Sequence, residues 1–308
     1  MSAAETSVQI LSLLLPFRRV SRAETEDSSG AVASAKDFVQ TLASIESQVA
    51  TGQPLTFVLP GFPCKSPNPA KVLGALPDDG ERASLRFLNQ LCTKISALYS
   101  PGAVLVVCSD GHIFADAIGV DQDTIDAYFE QLQLIATAEQ FQNLRFFSLR
   151  DRYPGQMDEQ ERQSIIDKFG PQLEQLREQV RADATLTSLY RGIIRFLVED
   201  SVDHTGTRSA LQRECRNRAY HVLQRSIAWG EIVSERFPTA IRLSIHPQPA
   251  KSTKFGLKLL ESTSTWTTPW HAAPVRKGDG SVHLIRRDTV PVGARLLYRN
   301  GRPDHFAL

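Results

Sequence analysis

Two short runs of apolar β-formers, Leu55-Thr-Phe-Val-Leu-Pro60 and Ala103-Val-Leu-Val-Val-Cys108, read as strands buried inside a sheet. Between them Leu85, Leu88, Leu91, Cys92, Ile95 and Leu98 recur at the spacing of one helix face. Asp78, with Glu81 three residues on, has the form of a capping box that starts this helix, and Pro101-Gly102 stops it. Strand, loop, helix, strand is the unit from which parallel sheets are built, so the pattern predicts an α/β fold.

The remaining elements follow the same two periods. Helices are predicted over 6–19, 35–49 and 123–140, and polar helices fill 158–237, closing with a long one at 208–236. Further strands are predicted at 113–115, 144–149, 240–245, 256–260, 281–286 and 294–298. The stretch 22–36 is rich in Ser, Ala, Glu and Asp, lacks large apolar residues, and reads as a linker. No internal repeat is visible, which excludes solenoids.

Residues 61–79 depart from both periods. Pro63, Pro67, Pro69 and Pro77 keep most of this stretch out of regular structure. It carries Lys65, Ser66, Asn68 and Lys71 beyond the carboxyl end of a strand, the side on which open α/β sheets bind ligands. Proline stiffening lowers the entropy lost on capturing a ligand. A structural loop with solvated lysines accounts for the same residues.

Charge narrows the partners. Lys and Arg total 35 against 34 Asp and Glu, so there is no broad attraction for nucleic acid or an anionic membrane, and any anion site is local. Apolar residues at 42% and charged residues at 22% belong to a folded globular chain. The apolar run at 10–15 is too short to span a bilayer, which takes about 20 residues, and no secretory leader is recognisable. Cys64, Cys92, Cys108 and Cys215 are widely spaced without CxxC, as in a reduced, cytoplasmic protein. The seven histidines form no HxH or HExxH, and neither a Walker loop nor GxGxxG is present, so no metal or nucleotide cofactor is expected.

Several polar groups sit where they can do chemistry. Ser109-Asp110-Gly111 follows the second strand and Asp116 follows the strand predicted at 113–115; a carboxylate there can orient a sugar hydroxyl or take a proton, although Asp-Gly is equally an ordinary turn. On the long helix Glu214, Arg218, His221 and Arg225 share a face, either a cleft rim or a solvated ion-pair face. Arg242, Ser244 and His246 alternate along one side of a strand, a costly arrangement in a core unless it lines a site. Lys254, Trp266, Trp270 and His271 follow, with indoles and an imidazole suited to an aromatic pocket. Cys64 has no visible base and reads as a packing residue.

The blocks Phe57-Val-Leu-Pro-Gly-Phe-Pro-Cys-Lys-Ser-Pro-Asn-Pro-Ala-Lys-Val-Leu-Gly74, Leu76-Pro-Asp-Asp-Gly-Glu-Arg82, Cys108-Ser-Asp-Gly-His-Ile-Phe-Ala-Asp116, Asn217-Arg-Ala-Tyr220, Arg242-Leu-Ser-Ile-His-Pro247 and Thr268-Pro-Trp-His271 strongly resemble the isocyanide (isonitrile) synthases, the pyoverdine/dityrosine biosynthesis family. The resemblance implies a Rossmann-like sheet flanked by helices, with extra C-terminal strands. It also implies an enzyme that converts the α-amine of L-tyrosine or L-tryptophan into an isonitrile. The new carbon would come from C2 of ribulose 5-phosphate, through an imine and cleavage of the flanking carbon–carbon bonds, without metal or redox cofactor. A non-haem iron oxygenase acting on the product is the implied pathway partner.

Transferred onto the matching positions, the expected catalytic residues are Lys65, Asp110, His246 and His271. Ser66, Lys71, Arg82, Ser109, Asp116, Arg218, Arg242, Lys254 and Trp270 are expected to bind substrate. The sequence departs from its relatives at His112, where arginine is more usual after Ser-Asp-Gly. Because the motifs at both ends of the chain are expected to build one site, the reading is a single domain, 35–308, preceded by a helix and linker, 1–34. Two other readings share the fold: a phosphosugar- or amino-acid-binding protein without turnover, and a pentulose-phosphate aldolase or transferase.

Overall fold

A computed structural model describes residues 2–20, 34–155, 157–262, 264 and 266–308. Strands β1 (Leu55–Gly61), β2 (Ala103–Ser109), β3 (Leu144–Ser148), β4 (Ile241–Ser244) and β5 (Lys254–Gly256) form one parallel sheet in the order β3-β2-β1-β4-β5. The helices are α1 (Ala3–Leu14), α2 (Val39–Ala50), α3 (Asp79–Leu98), α4 (Gly111–Ile118), α5 (Gln122–Ala138), α6 (Glu159–Phe169), α7 (Leu173–Ala182), α8 (Ala184–Asp200) and α9 (Arg208–Arg236).

Side chains alternate across the sheet, and each face has its own core. Phe57, Leu59, Leu105 and Val107 meet Ile10 and Leu14 of α1, Ile45 of α2, Leu88 of α3 and Leu132 of α5. Val58, Val106, Cys108 and Phe147 face the other way, toward Ile165 of α6, Leu176 of α7, Leu197 of α8 and Trp229 of α9. Helices on both faces explain why the strands read as nearly unbroken apolar runs. The helix at 3–14 thus shares a core with the sheet, and Arg19 N continues the contact by donating to Gly256 O at 2.9 Å.

β1 lies between β2 and β4, so the chain leaves the middle of the sheet in opposite directions on its two sides. That reversal opens a crevice at the carboxyl ends of β1 and β4. A second sheet, β6 (Glu261–Ser262), β7 (Ala273–Arg276), β8 (Val282–Ile285), β9 (Arg295–Arg299) and β10 (Arg302–Ala307), runs in the order β6-β8-β7-β10-β9. It is tied to the start of α3 by Arg82 to Asp304 at 2.9 Å and Arg276 to Asp79 at 2.6 Å.

The structure differs from the predicted elements in three places. The strand expected at 113–115 is part of α4, which ends at the left-handed Gly119, φ 73°; a short buried apolar run does not by itself distinguish strand from helix. The strand expected at 256–260 is the brief β5 at 254–256. β6, β7 and β10 were not expected, because Pro274, Arg276, Arg302 and Pro303 break the alternation that marks a strand. Of the linker predicted at 22–36, residues 22–33 lie outside the described ones. No described helix is long and apolar enough to cross a membrane.

Candidate active site

A cavity of about 300 Å³ occupies the crevice. Its floor comes from the loops after β1, β2 and β4, and its walls from α8, α9 and the 264–271 segment. Each residue of Ser109-Asp110-Gly111 has a separate part in building it. Ser109 Oγ donates to Phe62 O at 2.9 Å and pins the first loop. A Cβ on Gly111 would stand 2.2 Å from Pro63 O, so only glycine lets the loop and α4 approach this closely. Asp110 occupies the N-cap of α4 without capping it, which leaves its carboxylate to the cavity.

The proline-rich loop is held by ion pairs at both ends. Lys65 Nζ lies 2.8 Å from Asp78 Oδ2, 2.8 Å from Glu81 Oε2 and 3.0 Å from Pro269 O. All three ammonium protons are therefore used, and although burial opposes it, Asp78 and Glu81 hold the ammonium above its ordinary pKa. Lys65 thus anchors the loop to the start of α3 while also lining the cavity. The capping box expected from Asp78 and Glu81 is present, and it doubles as the Lys65 site.

At the other end Lys71 Nζ meets Asp200 Oδ1 at 2.7 Å and Glu199 Oε2 at 3.0 Å, and Ser66 Oγ donates to the same Asp200 oxygen at 2.6 Å. Asn68 Nδ2 reaches Glu199 O at 2.6 Å. The loop is thereby fastened to the last turn of α8, and Ser66 and Lys71 present Asp200 to the cavity as much as themselves. Neither Glu199 nor Asp200 was expected; a carboxylate pair at the end of a polar helix looks solvated until a partner 129 positions away is seen.

Three imidazole and carboxylate groups lie in the cavity wall with unusual acidities. Burial pushes the Asp110 carboxyl up to about 7, and its Oδ1 has no partner among the described residues. Burial, followed by the charges of Arg19 and Lys254, pulls His246 down to about 4, and its Nδ1 is also unpartnered. Burial, then Lys71, pulls His271 well below the ordinary range; its Nδ1 is 3.1 Å from Thr268 Oγ1. At neutral pH the cavity thus holds two neutral imidazoles and a carboxyl near its midpoint, groups suited to moving protons.

Aromatic rings supply the apolar wall. Phe196 lies 4.5 Å from the His271 ring and Trp266 lies 5.5 Å from His246. Gly192 makes room for Trp266, since a Cβ there would sit 3.0 Å from the indole. Trp270 wedges beneath Gly61, where a Cβ would come within 3.1 Å of its ring.

Of the residues expected to act at the site, Lys65, Ser66, Lys71, Asp110, Arg218, His246, Trp270 and His271 line the cavity. Arg218 spends Nε and Nη2 on Ala117 O at 3.0 and 2.9 Å, securing α4 to α9. Five others are not in the lining. Ser109 is consumed by Phe62. Arg82 is buried between Asp79 and Asp304, and with Arg276 it occupies the oxygens of the Asp79, Asp304, His305 cluster. Asp116, being helical rather than at a strand end, turns toward Arg225 and Arg162. Arg242 donates to Gly230 O at 3.1 Å, and Lys254 pairs with it in register on β5; the strand ends at Ser244, so the alternation does not carry His246 to their side. His112 is spent on Asp126 at 2.7 Å and has no place in the cavity. Arg19, also unexpected, is buried beside the site, donating to Thr267 O at 3.0 Å.

Residues 45–295 match the family model described as pyoverdine/dityrosine biosynthesis protein. The chain is 41% identical over 306 residues to the L-tyrosine isonitrile synthase of Pseudomonas aeruginosa, covering 97% of this chain and 93% of that protein. It is 38% identical over 268 residues to the L-tryptophan isonitrile synthase AmbI2 of Fischerella ambigua, covering 86% and 81%. The crystal structure of the PvcA protein from Pseudomonas aeruginosa superposes with a TM-score of 0.89 at 39% identity, covering 98% of this chain and 99% of that one. With the family model matched over residues 45–295 and nearly the whole chain covered by a relative 41% identical, the chain belongs to the pyoverdine/dityrosine biosynthesis family.

Proposed function

We propose that this protein is an isonitrile synthase acting on L-tyrosine or L-tryptophan, with ribulose 5-phosphate as carbon donor. The observation that carries the reading is that Asp110 Oδ1 and His246 Nδ1, without partners among the described residues, belong to residues lining one aromatic-walled cavity at the sheet's switch point. Relatives named as L-tyrosine and L-tryptophan isonitrile synthases support it.

The chemistry follows from what the cavity offers. The substrate amine adds to the C2 ketone, water leaves, and the resulting imine carries C2 on nitrogen. Cleaving the carbon–carbon bonds on either side of C2 keeps that carbon at its oxidation level when the two fragments leave differently. One leaves as an aldehyde, its hydroxyl proton going to a base and its bonding pair to C2; the other leaves with its bonding pair and takes a proton from an acid. Asp110 is the proposed base; His246 and His271, neutral at pH 7, relay protons. The rings of Phe196, Trp266 and Trp270 border the amino-acid side chain. Arg195, in the cavity lining, is the proposed partner of the phosphate or carboxylate, and Arg218, whose Nε and Nη2 are held by Ala117 O, adds positive charge at a distance. The reaction needs no electron acceptor from the protein, and an iron-dependent oxygenase acting on the isonitrile is the proposed next enzyme. Four buried free cysteines support a reducing, cytoplasmic setting.

The test is incubation with L-tyrosine or L-tryptophan and ribulose 5-phosphate labelled at C2. Label in an isonitrile carbon is expected. Pentulose consumption without labelled isonitrile would favour an aldolase or transferase, and saturable binding without consumption a binding protein.

A further inference from the structure

We infer that Asp200 is the residue that receives the substrate's amino group: its Oδ2 accepts a hydrogen bond from the ammonium and then takes the proton that must leave before nitrogen can attack a ketone. This rests on the aromatic amino acid being the substrate, and adds a residue outside the sequence motifs.

The first observation is the asymmetry of the carboxylate. Oδ1 is clamped by Lys71 Nζ at 2.7 Å and Ser66 Oγ at 2.6 Å, whereas Oδ2 is buried and has no partner among the described residues. The side chain is only 7% exposed and lies in the cavity lining. An unfilled carboxylate oxygen in such a place costs free energy until a donor arrives. The clamp fixes the direction in which that oxygen points.

The second observation is charge. Within the ion-pair network Lys71 and Arg286 meet Glu199, Asp200 and Asp288, three carboxylates to two cations, with Arg195 one turn earlier on α8 outside that network. Asp200 is also the last residue of α8, and a helix C-terminus favours a cation. An ammonium balances the corner; a phosphate or carboxylate worsens it.

Proton bookkeeping closes. One N–H bond breaks and one O–H bond forms, converting ammonium and carboxylate into neutral amine and carboxylic acid. Burial raises the Asp200 carboxyl above its ordinary pKa, against Lys71 and Ser66, which favours that neutral pair. The amine so released lies in the cavity that Asp110 also lines, where the ketone chemistry is proposed.

The experiment measures binding by calorimetry, without turnover, for L-tyrosine and L-tryptophan against their desamino analogues hydroxyphenylpropanoate and indolepropanoate. The wild-type protein is expected to prefer the amino acid by roughly ten- to a hundredfold, the range of a charge-assisted hydrogen bond. Asp200→Asn should abolish the preference, with Asp200→Ser as a second variant and circular dichroism confirming the fold of each. A folded variant that keeps the preference, or a wild-type protein that binds both ligands equally, overturns this role and leaves the proposed function standing. A wild-type protein that binds neither amino acid nor analogue overturns both.

Discussion

Lys65 and Glu81 form an ion pair of 2.8 Å in which neither side chain is exposed at all. The pair joins the loop after β1 to the first turn of α3, and Asp78 completes it at 2.8 Å. Tyr128 donates to the other Glu81 oxygen at 3.0 Å, so the network reaches α5. Burying these charges is tolerable only because they compensate one another.

Replacing Lys65 by alanine strands two carboxylates in the interior. A loss of about 3–5 kcal/mol is expected, read as a lowered denaturant midpoint. A variant of unchanged stability but no activity would return Lys65 to the chemistry.

Asp110 governs a pH dependence whose sign follows from its raised acidity constant. The folded protein keeps this carboxyl protonated up to about 7, against 3.8 for a free side chain. Its contribution to stability is therefore complete below 3.8 and is lost as pH rises through about 7. Asp110→Asn should flatten this part of the stability profile. The same substitution should lower turnover by about 10²–10⁴-fold, and wild-type activity should rise with pH through a midpoint near that value. Turnover within a few-fold of wild type would exclude Asp110 as the base.

His246 has the opposite sign. Its imidazole is held at about 4, below the 6.5 of a free side chain. The stability it contributes is present above 6.5 and is lost as pH falls through about 4. Unfolding of His246→Gln should be less acid-sensitive than wild type across that window. Equal acid sensitivity would mean that another group carries the effect.

Gly192→Ala should leave the fold intact while displacing the Trp266 indole, which stands 3.0 Å from the new Cβ position. The expected result, on the proposed reaction, is a raised KM for the aromatic amino acid with a smaller change for the proposed pentulose phosphate donor. Equal KM values before and after would remove Trp266 from the amino-acid wall.

Arg82→Met removes a buried guanidinium shared by Asp79 and Asp304. Thermal unfolding should shift down, by an amount corresponding to about 3–5 kcal/mol. KM for both substrates in the folded fraction should stay as it was, because Arg82 is not in the cavity lining.

Much of the frame is legible in local pattern. The β1–α3–β2 unit follows from two apolar runs, one helical stripe and the Asp78–Glu81 cap, because backbone hydrogen bonding and burial are satisfied by neighbours in sequence. The 113–115 segment was misread because Ile113, Phe114 and Ala115 are buried in a helix as well as they would be in a strand. Glu199 and Asp200 gave no local signal, because what makes them unusual is contact with Lys71 and Ser66.

The sequence by itself determined the α/β class, the ligand-side loops after β1 and β2, and the chemical types brought to them. Those properties depend on side-chain period, turn chemistry and composition, all local quantities. Which of the charged groups face the cavity was decided only by the tertiary structure. Arg82, Asp116 and Arg242 carry the same charges as Lys71, Arg218 and Asp200, but each is turned to a partner that the packing brings near and stands outside the cavity lining, whereas Lys65 lines the cavity with its ammonium already paired. Lys65 is spent on Glu81 and Arg82 on Asp304, while Asp110 Oδ1, His246 Nδ1 and Asp200 Oδ2 have no partner among the described residues.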